Sequence, residues 1–201
     1  MSGPALILAS RSAARRAMLD AAGVPHEAVA AQVDEDSAKA ALLSEGADAR
    51  RLADALAELK AVKISRRYPV DWVLGCDQTL ARDDGMLFDQ PRDRDDAATQ
   101  LRALRGRKHR LTSAAVLAQG GVPTWRFIGV ATLTMRDFSD AFLEQYLDAE
   151  WPAISGCVGC YRLEGVGIQL FSKVEGDHFT ILGLPLLAVL DQLRTLGLNM
   201  K

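Results

Sequence analysis

The first third of the chain begins with an apolar run that changes abruptly into a polar, basic one. Leu6–Ala9 are four apolar residues typical of a buried strand. Serines and arginines follow, and then a helical pattern that ends at Gly23 with Pro25 just beyond it. The pattern predicts a strand, a short polar turn and a helix.

The rest of the chain alternates between the two periodicities. It predicts a short strand over 27–33, helix over 37–66 with a break near Gly46, a strand over 71–76, a helix over 94–104, an antiparallel hairpin of strands over 109–118 and 125–135, helices over 139–149 and 184–196, and short strands and loops over 155–183. Helices interleaved with parallel-type and hairpin strands indicate a mixed α/β fold. Since no repeat or linker interrupts the pattern, we expect a single domain over residues 1–201.

Bulk composition narrows the classes of function. The chain carries 24 basic and 26 acidic residues, a net charge of −2, so no global basic field favours a nucleic-acid polymer as partner. No apolar run approaches the roughly 20 residues that cross a bilayer, so no membrane association is expected. The N-terminus lacks the charged region of a secretory signal, and only three cysteines are present. These features predict a reduced, cytoplasmic protein.

The polar turn after the first strand is a candidate anion site. A helix N-terminus presents free backbone N–H groups and the positive end of its dipole to the same point. Ser10 and Ser12 add hydroxyl donors, and Arg15 and Arg16 add guanidinium groups that match phosphate oxygens. The alternative is an ordinary capped helix with solvated arginines.

Carboxylates follow two of the predicted strands. Asp77 leaves the strand over 71–76 at its C-terminal end, where open α/β sheets usually bind ligands, and Asp34 and Glu35 follow the strand over 27–33. Together they could hold a divalent cation that polarises a phosphate, or Asp77 could accept a proton from water. The alternative is that Asp77 only caps a turn.

Other candidates have equally plain structural explanations. Lys60, on an otherwise apolar helical face, could contact a phosphate or merely extend to solvent. Glu164 is a lone acid in a glycine-rich loop, where a solvated turn residue is the common case. Cys157 and Cys160 form a single C-x-x-C without a second pair, so we interpret them as packed apolar residues and not as a redox or zinc site.

These residues and their order resemble the Maf-like nucleoside triphosphate pyrophosphatases over nearly the whole chain. The matching segments, each weak alone, are Leu6–Arg16 against the opening L-A-S-x-S-P-R-R motif, Val33–Glu35, Leu59–Ala61, Gly75–Gln78, Leu101–Gly106, Gly165–Ile168, Glu175–Asp177 and Leu182–Leu186.

The resemblance implies an elongated mixed sheet with flanking helices and two lobes around a cleft, similar to the inosine-triphosphate pyrophosphatase architecture and often dimeric. It implies hydrolysis of a nucleoside triphosphate to the monophosphate and pyrophosphate with a divalent metal cation (Mg, Mn or Co). By position, the resemblance makes Asp77 the proton acceptor and a metal ligand, and it makes Glu35 the second carboxylate on the metal side. Phosphate-binding positions of the family fall on Ser10, Arg15, Arg16 and Lys60.

Several positions depart from the family pattern. Ala13 replaces the proline of the first loop, and Gln90 stands where a phosphate-binding lysine is expected. Gln78 in place of threonine, together with Glu164, resembles the branch that hydrolyses 7-methyl-GTP, in which the two would contact the sugar or base. That branch has tryptophan where this chain has Ala14, so the match to the branch is partial.

Two functions follow as expectations. The first is a pyrophosphatase that clears modified or surplus nucleotides. The second, prompted by Gln90, is a nucleotide-binding regulator of cell division with little hydrolytic activity.

Overall fold

The computed structural model describes residues 4–198, which contain seven α-helices and seven β-strands. The strands are β1 (Leu6–Ala9), β2 (Glu27–Ala28), β3 (Trp72–Arg82), β4 (Leu87–Phe88), β5 (Lys108–Gln119), β6 (Val122–Met135) and β7 (Phe171–Glu175). The helices are α1 (Ala13–Ala21), α2 (Glu35–Ser44), α3 (Ala49–Ser65), α4 (Arg94–Leu104), α5 (Asp140–Glu150), α6 (His178–Ile181) and α7 (Leu186–Thr195). A 3₁₀ helix, Val166–Leu170, precedes β7.

The strands form one mixed sheet in the order β2-β1-β3-β5-β6-β7, with β4 paired to β3. β1 runs parallel to β2 and β3, whereas β3–β4 and β6–β7 are antiparallel. β5 and β6 are joined by Gly120 and Gly121, which both have positive φ angles, 58° and 85°, as a tight hairpin turn requires. The predicted mixed α/β sheet and its hairpin are therefore confirmed.

The chain divides into two compact units. Unit 1 comprises the described parts of Met1–Gln78, Thr112–Gly129 and His178–Lys201. Unit 2 comprises Thr79–Leu111 and Val130–Asp177. The single domain and the cleft between two lobes that were expected from the sequence stay predictions.

In unit 1, both faces of β1 are buried. Leu6 and Leu8 belong to a core cluster with Leu19 of α1 and Val189 of α7. Ile7 and Ala9 lie in a separate cluster with, among others, Ile64 of α3. A strand covered on both faces has an apolar run in place of an alternating pattern, which is why Leu6–Ala9 could be recognised in the sequence.

Helix α3 packs unusually close to β3 at Gly75. A Cβ atom at this position would overlap the backbone of Ala57 and would lie 2.7 Å from the amide nitrogen of Ala61. Small side chains continue this contact, since Ala53, Ala57 and Ala61 cluster with Ala114 and other small residues of β5. The close approach brings the side chains on this face of α3 near to β3.

In unit 2, α4 and α5 are in contact, and ion pairs join their exposed edges. Arg94 of α4 contacts Glu144 and Asp148 of α5 at 3.0 and 2.6 Å. Such exposed pairs contribute little each to stability. His109 of β5 lies fully buried against the ring of Tyr161.

Two local predictions are wrong. The strand expected over 27–33 is limited to Glu27–Ala28, because β1, its parallel partner, ends at Ala9. The strand expected to end at Cys76 continues to Arg82, so Asp77 lies inside β3 and not after it. The parallel pairing of β3 with β1 does end at Gly75, and β4 pairs with β3 from Leu80. Across residues 4–198, no helix is long and apolar enough to span a membrane.

Candidate active site

The turn between β1 and α1 is built as an N-terminal cap. Ser12 is the N-cap of α1 and its hydroxyl accepts from the backbone N–H of Arg15 at 3.3 Å. The hydroxyl oxygen of Ser10 accepts from the backbone N–H of Ser12 at 3.2 Å. Ala13 is the first residue of the helix, a position where proline is favoured but not required, so its replacement of the family's proline leaves the helix start intact. The cap thus takes up the Arg15 amide, and within residues 4–198 the structure gives the amides of Ala13 and Ala14 no partner, so these two suit an anion.

Arg15 is held against the protein by several backbone and side-chain acceptors. Its Nε donates to the carbonyl of Gly183 at 2.8 Å, and Nη1 donates to the carbonyl of Cys76 at 3.1 Å and to Ser10 Oγ at 3.2 Å. Among residues 4–198 the structure gives Nη2 no hydrogen bond, so one edge of the fork can still meet an oxyanion. Arg15 therefore joins the polar turn to β3 and keeps part of its donor capacity.

Arg16 differs from Arg15. It is exposed on the first turn of α1, and within the described chain its guanidinium has no hydrogen bond or ion pair. The sequence predicts both arginines to bind phosphate. The structure leaves Arg16 free to do so, and it gives Arg15 a structural role beside that predicted one.

Lys60, Asp77 and Glu35 form a compact charged cluster. Lys60 Nζ lies 2.7 Å from Asp77 Oδ1 and 2.7 Å from Glu35 Oε2. Lys60 and Asp77 are each 8% exposed, whereas the Glu35 side chain is 45% exposed. Three residues predicted separately from the sequence are thus brought together, and the close contact at Gly75 explains how α3 can place Lys60 against a strand residue two positions further on.

Burial and charge act in opposite directions on Asp77. Desolvation raises the pKa of its carboxyl above the ordinary value, while the Lys60 ammonium and, more weakly, the Arg15 guanidinium lower it. Burial also raises the pKa of the neighbouring Cys76 thiol to about 11, so this cysteine stays protonated and unreactive. Asp77 is therefore the group at this point of β3 that is suited to proton transfer.

The two acids at the start of α2 have different roles. Asp34 is the N-cap, and its carboxylate accepts from the backbone N–H of Ser37 at 3.0 Å, which lowers the pKa of Asp34. Glu35, the first residue of the helix, extends to Lys60 instead. Only Glu35 therefore joins Asp77 at the site.

Gln78 is part of a network that the sequence did not reveal. Its Nε2 lies 3.0 Å from Ser113 Oγ, 3.1 Å from the carbonyl of Thr180 and 3.0 Å from that of Ile181. Ser113 Oγ also donates to the Thr180 carbonyl at 2.7 Å. The amide nitrogen of Gln78 is thus committed to protein acceptors, whereas its Oε1 has no hydrogen bond within residues 4–198. The sequence feature that could have pointed to Ser113 is the presence of a serine within the apolar run of β5.

Glu164 is exposed and lies in unit 2, on a loop that is held by contacts of its neighbouring residues. Arg162 donates through Nε and Nη2 to Glu150 Oε2 at 2.9 and 2.7 Å, and Glu150 is only 5% exposed. A Cβ on Gly167 would contact the Arg162 carbonyl oxygen at 2.5 Å, so the loop closes tightly on itself. Glu150 is a further residue that the sequence analysis missed, because nothing marks a buried acid at the end of an amphipathic helix.

Gln90 is also in unit 2 and is exposed. Its Nε2 donates to the carbonyl of Gly156 at 3.0 Å.

The C-x-x-C pair directly follows Gly156. Cys157 is half-buried, and Cys160 is fully buried with its thiol 3.5 Å from Gln100 Oε1. Both cysteines are free thiols.

Glu35 and Asp77 are donors of the type that binds a divalent cation, and they could supply two of its ligands. Glu35 and Asp77 already direct one oxygen each at a single cation, the Lys60 ammonium. Mg²⁺ is commonly held by one or two carboxylates and completes its shell with water and substrate phosphates. In the described part of the chain no group of three or more His, Cys, Asp or Glu side chains could hold a metal ion, so water and substrate oxygens would have to supply the remaining ligands.

The fold and this site define a mixed α/β protein with a polar turn at a helix N-terminus and a buried carboxylate–lysine pair. The model of the family described as Maf-like protein matches residues 5–196. The chain belongs to the Maf-like family, as its motifs predict.

Similar proteins cover nearly the whole chain. A protein from Sphingopyxis alaskensis named nucleoside triphosphate pyrophosphatase is 52% identical over 193 residues, covering 96% of this chain and 98% of its own. One of the same name from Caulobacter vibrioides is 51% identical over 197 residues, covering 98% of each. The crystal structure of a nucleoside-triphosphatase / dITP/XTP pyrophosphatase from Mycobacterium abscessus matches with a TM-score of 0.42 and 16% identity, covering 96% of this chain and 95% of its own. A likeness at that level supports no conclusion.

Proposed function

We propose that this protein is a nucleoside triphosphate pyrophosphatase that converts modified or surplus nucleoside triphosphates into monophosphate and pyrophosphate in the cytoplasm. The names of its close relatives favour this reaction. The observation that carries the proposal is the buried Asp77 carboxylate held by Lys60, beside a turn whose hydroxyls, amides and arginines suit phosphate.

The positive groups of unit 1 bind the triphosphate. The α1 N-terminus and Ser10 offer hydrogen-bond donors, Arg15 offers its Nη2 edge, and Arg16 offers an unpaired guanidinium. Lys60 adds a point charge. These groups favour the pyrophosphate leaving group because negative charge accumulates on it as the bond breaks.

Asp77 accepts the proton of the attacking water. The water oxygen forms a bond to the α-phosphorus, its proton passes to the Asp77 carboxylate, and the bond from the α-phosphorus to the bridging oxygen breaks, so that pyrophosphate leaves with the electron pair. The raised pKa of Asp77 brings it closer to the range in which a carboxylate is an effective base. Asp77 and Glu35 would hold a divalent cation (Mg, Mn or Co), which when bound polarises phosphate oxygens and acidifies water.

The experiment is a measurement of pyrophosphate release from standard and modified triphosphates with Mg²⁺, Mn²⁺ and Co²⁺, paired with calorimetric binding of a non-hydrolysable analogue. Release of equimolar monophosphate and pyrophosphate is expected. Binding without release in every combination would contradict the proposed reaction and favour a nucleotide-binding regulator. If neither binding nor pyrophosphate release is observed, nucleoside triphosphates are not ligands of this protein.

A further inference from the structure

The ammonium of Lys60 occupies a position that a metal ion would need. It lies 2.7 Å from one oxygen of Glu35 and 2.7 Å from one oxygen of Asp77, so it uses an atom of each carboxylate that would be offered to a cation. Its side chain is 10% exposed and that of Asp77 is 11% exposed, so water screens this contact poorly. A cation approaching the same oxygens meets both competition and repulsion from Lys60.

We propose that Lys60 stands in for the divalent cation, so that the protein binds metal weakly by itself and takes it up together with the triphosphate. The inference rests on the proposed function for the identity of the anion. Its metal-binding part, however, concerns the protein without nucleotide and can be tested independently of hydrolysis.

The charges of the cluster explain the order of binding. Two carboxylates and one ammonium leave a single net negative charge, too little to attract a divalent ion strongly, and Arg15 adds a further positive charge near Asp77. A triphosphate changes this balance, because its oxygens offer Lys60 a new partner and offer the metal additional ligands. Nucleotide and metal therefore favour each other's binding, a coupling that must be equal in both directions.

One carboxylate of the cluster is accessible to solvent. Asp77 is buried inside β3, but the Glu35 side chain is 45% exposed at the start of α2. The cluster is thus open to solvent on the Glu35 side. A lysine side chain has a flexible four-carbon stem, so its ammonium can move toward an entering phosphate without displacing α3.

The first test is calorimetric binding of Mn²⁺ to the protein without nucleotide. Lys60→Met keeps the length and apolar character of the stem but removes the charge, and we expect it to tighten Mn²⁺ binding by about tenfold or more. Lys173→Met is the matched control, since Lys173 pairs with exposed Glu175 at 2.8 Å and its loss also frees one carboxylate. Lys60→Arg, which keeps the charge, should remain as weak as wild type.

Further measurements keep the test decisive if a variant misfolds, and they separate this inference from the proposed function. Lys60→Gln is a second uncharged variant, and Mn²⁺ should raise the Tm of either variant more than that of wild type. If neither variant folds, wild type decides: Mn²⁺ should bind at least about tenfold more tightly with a non-hydrolysable triphosphate analogue present. Equal Mn²⁺ affinity in Lys60→Met and wild type, or equal affinity with and without the analogue, overturns the inference. Absence of pyrophosphate release with these metal effects intact would refute only the reaction.

Discussion

Replacement of Asp77 by asparagine tests the central assignment with little disturbance of packing. The amide has the shape of the carboxylate, and its Oδ1 can still accept the Lys60 ammonium that lies 2.7 Å from the native oxygen. The variant loses the negative charge and the capacity to take a proton. We therefore expect Asp77→Asn to fold and to bind nucleotide, but to release pyrophosphate at a rate lower by about 10² to 10⁴. A loss of 10² corresponds to about 2.7 kcal/mol of transition-state stabilisation.

The control for this variant is an aspartate just before the same strand. Asp71 immediately precedes β3 and accepts the backbone N–H of Ala5 at 2.9 Å, so it is engaged outside the charged cluster. Asp71→Asn makes the same chemical change and should leave turnover near wild type. Pyrophosphate release and calorimetric nucleotide binding are measured for both variants. If Asp77→Asn keeps more than about a tenth of wild-type turnover, Asp77 is not the base.

Three further predictions concern unit 2. Gln90→Lys should raise turnover or lower KM, as a restored charge contact would, if Gln90 turns from the Gly156 carbonyl toward phosphate; unchanged kinetics would show that this position does not serve the phosphates. Glu164→Gln should reduce the preference for 7-methyl-GTP over pyrimidine triphosphates more than it lowers the best rate, since a carboxylate accepts both donors on one guanine edge; a wild-type preference for dTTP or UTP would contradict this. Burial lowers the pKa of His109 to about 4, below the roughly 6.5 of an unfolded histidine, so the unfolded chain binds more protons between these values. The free energy of unfolding should then fall by about 2 kcal/mol from this group between pH 7 and pH 5, in urea titrations, and His109→Gln should remove that part of the pH dependence.

Elements whose cause is local could be predicted from the sequence. The apolar run of β1, the Ser12 cap and the break near Gly46, which has a φ of 78°, each depend on neighbouring residues alone. The order of short motifs added the family, and the structure brings the predicted residues Lys60 and Asp77 into contact. What made this possible is that a lysine on an apolar helix face and an acid near a buried strand are visible in the sequence before their partners are known.

Features that depend on distant partners could not be predicted. Asp77 lies inside β3 because β3 continues past its parallel pairing with β1, and no residue near Asp77 signals that continuation. The link from Gln78 to Ser113 and Thr180 joins positions up to 102 residues apart. Arg15 likewise has a carbonyl partner at Gly183, 168 residues away, so its structural role was invisible while its charge was obvious.

Gly75 connects the packing of unit 1 to its chemistry. Since the backbone of Ala57 and Ala61 lies where a Cβ on residue 75 would be, α3 approaches β3 more closely than a side chain at this position would allow. In this arrangement Lys60 contacts Asp77, and both are largely removed from water. A buried lysine and a buried aspartate are each costly alone, and together they are tolerated because the contact is short and Glu35 supplies a second acceptor. The position of the charge that faces the proposed substrate therefore depends on the absence of a side chain at residue 75 of β3, since a Cβ there would clash with the backbone of the helix that carries Lys60.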